Sequence, residues 1–411
     1  MITKLEKTAS LVTLKNNPDR NDWGCCVFKI KLYCLPVKRY VRLFLSMMLI
    51  TSCSPSPTPT TSNENVLGQV VLDRPTTFRF VDNKLERLSK DNIYYKEDLR
   101  QKEAFDSIRV KAYESFRQFS QQTKSEKFVV DKIVLSNFPK EISRYSIDQV
   151  EGSLSLWGTK FKNDSNLRLL LATELDDEYM AGKGREFVTS LDNFNRIKSI
   201  NAQFGFPWIT GEVRSSRSQE NFRSTMLLAT NSFAKTEQME TGWIQVPAHE
   251  SFHVVFDYYM SQKPIQSEGE YLERAPQHLI EGAANYYGYS YAMPNLGWYS
   301  DALDISLIQI WNSLNGWKSV NSKEDVVELL YATERSTPQA AFDASYAVGS
   351  LFAEWIVGNF GIESFIKIVQ NVSLGYSFNE NLKQSLGIEK DVAYKKSASY
   401  ILNIFRRLGL N

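Results

Sequence analysis

One apolar stretch, residues 246–259, constrains the fold of this chain most, because it carries two histidines four residues apart. It reads VPAHESFHVVFDYY, and the whole chain of 411 residues holds only three histidines. In an α-helix, residues i and i+4 lie on one face, one turn apart. The stretch therefore predicts a helix over 243–262 with His249 and His253 side by side, either in a metal site or as two histidines that a helix happens to carry.

The residue types around the two histidines favour a metal site. Two imidazoles one turn apart can both reach one zinc ion at about 2.0–2.1 Å. Glu250 lies beside the first histidine, too far back to bind the ion, and can hold and deprotonate a water molecule there. This is the His-Glu-x-x-His pattern of zinc peptidases. The scarcity of histidine in this chain argues against a chance match.

A catalytic zinc site also needs a third protein ligand and keeps a fourth position open. The best candidate is Glu281, 28 residues after His253 in the stretch PQHLIEGAANYYG. Small residues follow it at 282–284, and they would let a second helix approach the first closely. Asn285, one turn after Glu281, could orient a ligand imidazole from behind.

The rest of the chain predicts an α+β fold. Apolar runs bounded by polar residues predict strands at 127–138, 167–174 and 224–230. Helical spacing of apolar residues predicts helices at 92–123 and 146–161, and Gly, Asn and Ser between 201 and 222 mark loops. After residue 240 the pattern is almost entirely helical, with helices at 243–262, 273–292, 302–314, 338–359, 362–373, 377–386 and 389–408. This order favours an α+β lobe joined to a helical lobe.

The N-terminal residues are typical of an export signal. Residues 38–53, KRYVRLFLSMMLITSC, place basic residues before about ten apolar ones and small polar residues before a cysteine, which is the layout of a secretory signal. The end of this stretch resembles a bacterial lipobox, in which Cys53 would carry the lipid. The alternatives are a signal peptide that ends near an unrelated cysteine, or a short membrane anchor.

These patterns divide the chain into four segments. An extension with the signal peptide and lipobox covers 1–53, and a Pro/Ser/Thr-rich tether covers 54–80. Such a composition behaves as an extended, solvated spacer. A helical segment covers 81–126, and the globular domain covers 127–411. We therefore expect an extracytoplasmic protein, held at the membrane of a bacterial cell envelope by its lipid anchor.

Cysteine usage and charge exclude several classes of protein. All four cysteines lie at or before Cys53, so the globular part has no thiolate for a disulfide, a zinc site or nucleophilic catalysis. Nine Lys/Arg and three Asp/Glu in residues 1–52 leave 39 basic and 44 acidic residues to the rest. A mildly acidic body without a basic run does not fit nucleic-acid binding.

The motifs HESFH and LIEGAANYYG together resemble the gluzincin zinc metallopeptidases, in which Glu-Gly-x-Ala follows His-Glu-x-x-His on the next helix. The chain looks most like the bacterial peptidase-MA-like domains, with SYAVGSLFAEWIVGNFG (345–361) similar to a later helix of those domains. The resemblance covers about 127–411 and is weak before 220. It implies a zincin-like (thermolysin-like) lobe with a small mixed sheet, followed by a mostly helical C-terminal lobe.

The resemblance also implies roles for residues at the matching positions. His249, His253 and Glu281 would bind one zinc ion (Zn2+), and Glu250 would act as general base and then as acid toward the leaving amine of a peptide or protein substrate. Tyr346 is the candidate for stabilising the oxyanion with its phenol, and a tyrosine packed in the core is an equal alternative. The strand at 224–230 would be the sheet edge that pairs with an extended substrate.

The chain departs from the family pattern in two places. The position three before the glutamate, often tryptophan in relatives, is His278, which could be a substitute ligand, a residue behind the ligands or a surface residue; we expect one of the last two. The chain lacks the Gly-x-Met-Glu-Asn motif of gluzincin aminopeptidases, which favours an endopeptidase. The alternative function is a non-enzymatic lipoprotein that uses an inert zincin fold as a binding module, and the presence of Glu250 argues against it.

Overall fold

The computed structural model describes residues 77–81, 84–88, 94–95, 102, 105–123, 127–191, 194–195, 209–218, 221–232, 239–314 and 316–410. The predicted extension 1–53, including Cys53, and the predicted tether as far as residue 76 lie outside these residues. Within them the chain is α+β and mostly helical, with a small mixed four-stranded sheet. The predicted fold class is confirmed at this level.

The strands form two sheets. They are β1 (Thr77–Val81), β2 (Lys84–Leu88), β3 (Tyr94–Tyr95), β4 (Asp131–Val134), β5 (Ser165–Thr173), β6 (Ile209–Ser218), β7 (Asn221–Thr230) and β8 (Met239–Glu240). The first sheet is antiparallel with the order β3-β2-β1-β8, and the second is mixed with the order β4-β5-β7-β6.

The helices make up most of the described chain. They are α1 (Ser107–Gln122), α2 (Lys140–Ser155), α3 (Gly158–Asp164), α4 (Asp177–Ala181), α5 (Thr241–Ile244), α6 (Val246–Met260), α7 (Glu268–Arg274), α8 (Ala283–Ala292), α9 (Leu296–Ser313), α10 (Lys323–Ala332), α11 (Gln339–Phe360), α12 (Ile362–Asn371), α13 (Phe378–Leu386) and α14 (Lys390–Leu408). A π-helical turn, His278–Gly282, leads into α8.

Strands β5 and β7 form the centre of the mixed sheet and are buried on both faces. They run parallel to each other and to β4, whereas β6 runs antiparallel to β7. Successive side chains of a strand point to opposite faces. Leu169 and Leu171 accordingly contact the main core, while Leu170 and Ala172 contact a smaller cluster around Phe187. Continuous apolar runs of this kind are typical of doubly covered strands, and both predicted strands are confirmed.

The edge of this sheet differs from the prediction. Residues 209–218 form β6, although their Gly and Ser content predicted a loop. The predicted edge strand 224–230 lies inside β7, between β5 and β6, so the expectation that it is the edge is wrong. In the described part of the sheet β6 is the edge, and it has β7 as its one hydrogen-bonded neighbour. Cross-strand pairing explains the polar sequence, since Ser215 and Ser224 hydrogen-bond through their hydroxyls at 2.9 Å.

Helix α6 lies at the centre of the molecule. Thirteen of its fifteen residues are buried, including the charged Glu250. A helix that is apolar on all sides is buried in a core, and α6 packs between β6, α2 and α8. The predicted helix over 243–262 is therefore confirmed, and it is the element from which the candidate site is built.

Helix α1 is part of the helical core. Arg109 donates to Glu354 Oε1 at 3.0 Å, to Asp304 Oδ1 at 2.6 Å and to Ser300 Oγ at 2.9 Å, all in the buried interior. A Cβ at Gly358 of α11 would lie 2.5 Å from the Ile108 carbonyl oxygen, so the two helices touch through their backbones. The helix is thus an integral element of the domain.

Several predicted boundaries move. The helix predicted from residue 92 begins at Ser107, where the Asp106 side chain accepts the Ile108 N–H at 2.8 Å and caps the helix. Strands β1 to β3 occupy residues that were predicted as the end of the tether and as the helical segment 81–126. Helices α7 and α10 were not predicted.

Among the described residues, no helix is both long and apolar enough to span a membrane.

Candidate metal centre

Helix α6 brings the first two ligand candidates together. Pro247 lies in its first turn, where a missing N–H leaves no helix hydrogen bond unmade. His249 and His253 lie one turn apart, with their Nε2 atoms 3.0 Å from each other and their ring planes at 72°. Both are buried. Burial lowers the pKa of His249, so its imidazole is neutral at neutral pH, which is the form that binds metals.

The third candidate, Glu281, lies in the π-helical turn. Its Oε2 is 3.3 Å from His253 Nε2 and 3.6 Å from His249 Nε2. Donor atoms at about 2.0–2.1 Å from one tetrahedral zinc ion stand about 3.3 Å apart, so the three atoms have the spacing that a single ion requires. Among the described residues, these three form the group of His, Cys, Asp and Glu side chains that could hold a metal.

The charge states and hydrogen bonds of this group also suit a cation. Burial alone would raise the pKa of Glu281, but the two imidazoles outweigh it, and the pKa lies below its ordinary value. Glu281 Oε1 accepts a hydrogen bond from Gln277 Nε2 at 3.3 Å. Glu281 Oε2 faces both imidazoles without making a hydrogen bond. Buried polar atoms rarely lack a partner, and a shared cation would provide one.

Glu250 lies beside the group and not in it. Burial raises its pKa to about 7, with His253 opposing the shift and the acidic neighbours Glu281, Glu212 and Asp257 adding to it. Its Oε2 has no hydrogen-bond partner. A carboxylate with a pKa near neutrality can take up and release protons at physiological pH, which is what a general base requires.

The two remaining predicted site residues also lie at the centre. The Tyr346 ring is stacked near the His249 ring, with centroids 6.0 Å apart and planes within 7°. Asn285 accepts from Gln245 Nε2 at 3.3 Å and donates to the Tyr346 carbonyl oxygen at 3.5 Å. Burial lowers the pKa of His249, and the nearby side chain of Asn285 opposes this lowering. The contact is too poorly aligned to count as a hydrogen bond to His249 Nδ1.

The structure corrects the expectation for His278. It is fully buried, so the surface alternative is wrong, and it does not belong to the group that could hold a metal. Its Nε2 lies 3.1 Å from the Tyr394 hydroxyl. The substitute-ligand alternative therefore has no geometric support, and His278 lies at the start of the turn that carries Glu281.

The small residues after Glu281 serve a partly different purpose from the predicted one. Gly282 faces Gly349 of α11, where a Cβ would lie 2.6 Å from the Ser350 amide nitrogen. The approach to the histidine helix is made by Gly288, where a Cβ would lie 3.0 Å from the Gln245 carbonyl oxygen. Helix α8 and its π turn are thus closely packed on two sides, and not on the α6 side alone.

Sequence reasoning missed two residues that contact or influence the site. Gly211 of β6 has no room for a side chain, because a Cβ would lie 2.5 Å from Cδ and 2.6 Å from Oε1 of Glu250. Asp257 lies one turn beyond His253 on α6, and burial raises its pKa to about 6 while a side-chain hydrogen bond with Ser215 opposes the shift. The spacing of four from His253 is visible in the sequence, whereas the contact of Gly211 with Glu250 is not.

No family model, curated protein or solved structure matches this chain.

Proposed function

We propose that this chain is a zinc-dependent peptidase of the gluzincin type that hydrolyses peptide bonds. The observation that carries the proposal is the convergence of three buried ligand atoms, from His249, His253 and Glu281, beside the carboxylate of Glu250. Mixed nitrogen and oxygen donors at this spacing suit zinc. Three protein ligands leave one position open, which is typical of catalytic zinc sites and not of structural ones.

The chemistry assigns a role to each side chain. A bound zinc ion supplies Lewis acidity, which polarises the scissile carbonyl and acidifies a water molecule. Glu250 takes a proton from the attacking water as the new carbon–oxygen bond forms. It then gives that proton to the amine nitrogen as the carbon–nitrogen bond breaks, so no proton is lost or gained overall. Tyr346, beside His249, would donate a hydrogen bond from its phenol to the developing oxyanion.

Strand β6 is the proposed docking edge for an extended peptide. It runs in the same direction as α6, with Gly211 beside Glu250 and the Arg217 guanidinium donating to Ser261 Oγ at 3.3 Å near the far end of the helix. In the described part of the sheet its outer edge has no strand beside it. A peptide added there would lie next to the proposed general base. Specificity for internal bonds, as in an endopeptidase, agrees with the absence of the Gly-x-Met-Glu-Asn motif of gluzincin aminopeptidases from the sequence.

We place the enzyme outside the cytoplasm, tethered to the membrane. This part of the proposal rests on the sequence of residues 38–53 and on the Pro/Ser/Thr-rich stretch after Cys53, which lie outside the described residues. A lipid on Cys53 followed by an extended spacer would hold the domain at a distance from the membrane surface. The proposed zincin-like lobe would then meet peptides or proteins of the cell envelope.

The first test is zinc content combined with hydrolysis. We would purify the full-length chain in detergent, measure zinc by elemental mass spectrometry and screen peptide libraries for cleavage. We expect about one zinc ion per chain. Glu250→Gln should keep the zinc and lose hydrolysis, because the ligand atoms are unchanged and the base is gone. Glu281→Ala should lose both.

Glu363 provides a matched control. It is exposed and distant in sequence from the three ligands, and Glu363→Gln makes the same chemical change there. It should retain zinc and activity. Cleavage by Glu250→Gln at the wild-type rate would refute the mechanism. A wild-type chain that takes up no zinc even after zinc is added back would refute the function itself.

A further inference from the structure

The π turn of the candidate metal centre is held at its start by residues from outside the centre. The backbone N–H groups of Gln277 and His278 donate to the carbonyl oxygens of Glu334 and Thr333, both at 3.1 Å. The first N–H groups of a helix have no partner within it, and here the residues after α10 supply the acceptors. On another side, a Cβ at Gly349 of α11 would lie 2.9 Å from the His278 carbonyl carbon. The turn is therefore closely packed.

The side chain of His278 adds a third restraint. It is fully buried, with the rings of Phe352, Phe378 and Tyr394 at centroid distances of 5.6–5.7 Å. Its Nε2 lies 3.1 Å from the Tyr394 hydroxyl of α14, and the Thr333 backbone is a second polar neighbour of the ring. Burial lowers the pKa of His278 to about 3, so the imidazole is neutral near neutral pH.

The Tyr394 hydroxyl lies between His278 and Glu334. The Tyr394 hydroxyl donates its single hydrogen to Glu334 Oε1, at 2.9 Å. With that hydrogen on Glu334, the Nε2–H tautomer of His278 donates to the hydroxyl oxygen. Glu334 Oε1 in turn lies 2.8 Å from Lys390 Nζ, and both of these side chains are 23% exposed. A chain of hydrogen bonds thus links the π turn, through Tyr394 and Glu334, to Lys390 near the surface.

We propose that His278 is a positioning residue for the metal ligand Glu281, and that its hydrogen bond to Tyr394 holds the π turn in the register that presents this carboxylate to the two histidines. The inference rests on the proposed function. His278 does not ligate, because it lies outside the group that could hold a metal. It acts through the backbone, since it is the first residue of the turn in which Glu281 lies. A shift of this turn would change the 3.3 Å and 3.6 Å distances on which a shared ion depends.

The test compares zinc affinities of the full-length chain by competition with a chromogenic chelator. Tyr394→Phe removes only the hydroxyl, and His278→Met removes the N–H donor at similar volume. Each should weaken zinc binding about tenfold, the lower end of the effect of groups that support metal ligands indirectly. His278→Gln retains an N–H donor and should restore most of the affinity. In the cobalt-substituted protein, the visible absorption bands should change in Tyr394→Phe and in His278→Met, and they should stay close to those of the wild type in His278→Gln.

Tyr400 provides the matched control. It lies on the same helix, is buried, and its hydroxyl also donates to a glutamate, Glu354, which belongs to the Arg109 network and not to the π turn. Tyr400→Phe should lower the melting temperature of the metal-free protein to an extent comparable with Tyr394→Phe, but leave zinc affinity unchanged.

The outcomes separate the two proposals. Zinc affinities of Tyr394→Phe and His278→Met equal to that of the wild type, in folded proteins, would refute the positioning role and leave the proposed function standing. Equal losses in Tyr394→Phe and Tyr400→Phe would also refute it, because the effect would then be a general loss of stability. A wild-type chain without zinc affinity would refute both. If Tyr394→Phe does not fold, the comparison of His278→Gln with His278→Met decides the question, and if His278→Met does not fold, the comparison of Tyr394→Phe with Tyr400→Phe decides it.

Discussion

Replacing Gly211 by alanine tests whether strand β6 positions the proposed general base. A Cβ at this position would lie 2.5 Å from Cδ and 2.6 Å from Oε1 of Glu250, whereas ordinary contacts are at 3.4–4 Å. The strand has little freedom to yield, because β6 is paired with β7 along all ten of its residues. The Glu250 side chain must therefore move by about 1 Å or more, the difference between the available and the ordinary distance.

The magnitude follows from the geometry. A misplacement of about 1 Å in a catalytic group can cost about 100-fold in rate, which corresponds to about 2.7 kcal/mol of transition-state stabilisation. The ligand atoms of His249, His253 and Glu281 are not among the nearest atoms to the new methyl group. We therefore expect kcat/KM of Gly211→Ala to fall about 100-fold while the zinc content stays at the wild-type value.

The assay measures kcat/KM with the best cleaved peptide from the library screen, together with zinc per chain and the melting temperature. Gly269→Ala is the matched control, because Gly269 is exposed and the nearest atom to its added Cβ would be Ser267 Oγ at 3.8 Å. Gly211→Ala with wild-type kcat/KM would show that β6 does not restrain Glu250. A loss of zinc in parallel with activity would show that the substitution acts on the ligands, which also contradicts the reasoning.

Two further predictions concern the architecture and the anchor. Arg109→Met leaves two buried carboxylates without their guanidinium and should lower the free energy of unfolding by about 3 kcal/mol. This is the lower end for a broken buried ion pair, because other donors to the carboxylates remain. Lys111→Met, at an exposed position on the same helix, should cost under about 0.5 kcal/mol. Denaturant titration of the two variants measures this, and equal costs would contradict the buried network. Cys53→Ser should move the protein from the detergent phase to the aqueous phase in a Triton X-114 partition, and unchanged partition would contradict a lipid on Cys53.

The sequence predicted the elements whose pattern is local and strong. Helix α6 is marked by an apolar run and a proline in its first turn, and strands β5 and β7 by apolar runs that both faces of the sheet require. Strand β6 was missed because its residues, ITGEVRSSRS, are polar and contain a glycine. Its extended form depends on pairing with β7, and its own residues carry no apolar pattern that would indicate a strand.

Helix α10 was missed although its sequence carries a signal. Ser322 and Asp325 form a capping box, in which each side chain accepts the other's backbone N–H, and Val326, Leu329 and Leu330 follow with helical spacing. The short length of ten residues between two polar loops made the pattern weak against its surroundings. The signal for α10 is therefore present in its local sequence, whereas β6 has none.

The candidate site likewise has one part that the local sequence predicts and one part that it does not. The spacing of His249, Glu250 and His253 is set by one helix, so their proximity follows from the α-helical repeat alone. Glu281 was predicted from a motif, but its position depends on a π turn that no pattern in the sequence indicated. The turn is supported by Tyr394, 116 residues after His278. Contacts over such a distance are a property of the packed chain and not of any segment.

The glycines around this turn explain why the position of Glu281 depends on several helices. Gly282 and Gly349 bring α11 against the π turn, and Gly288 brings α8 against the start of α6. Each is a position where an added Cβ would collide with backbone or with a buried side chain, so the distance between the helices is set by the absence of a side chain. The distances from Glu281 to the two imidazoles are therefore determined jointly by α6, α8, α11 and α14. The proposed metal centre can therefore form only when these four helices pack together.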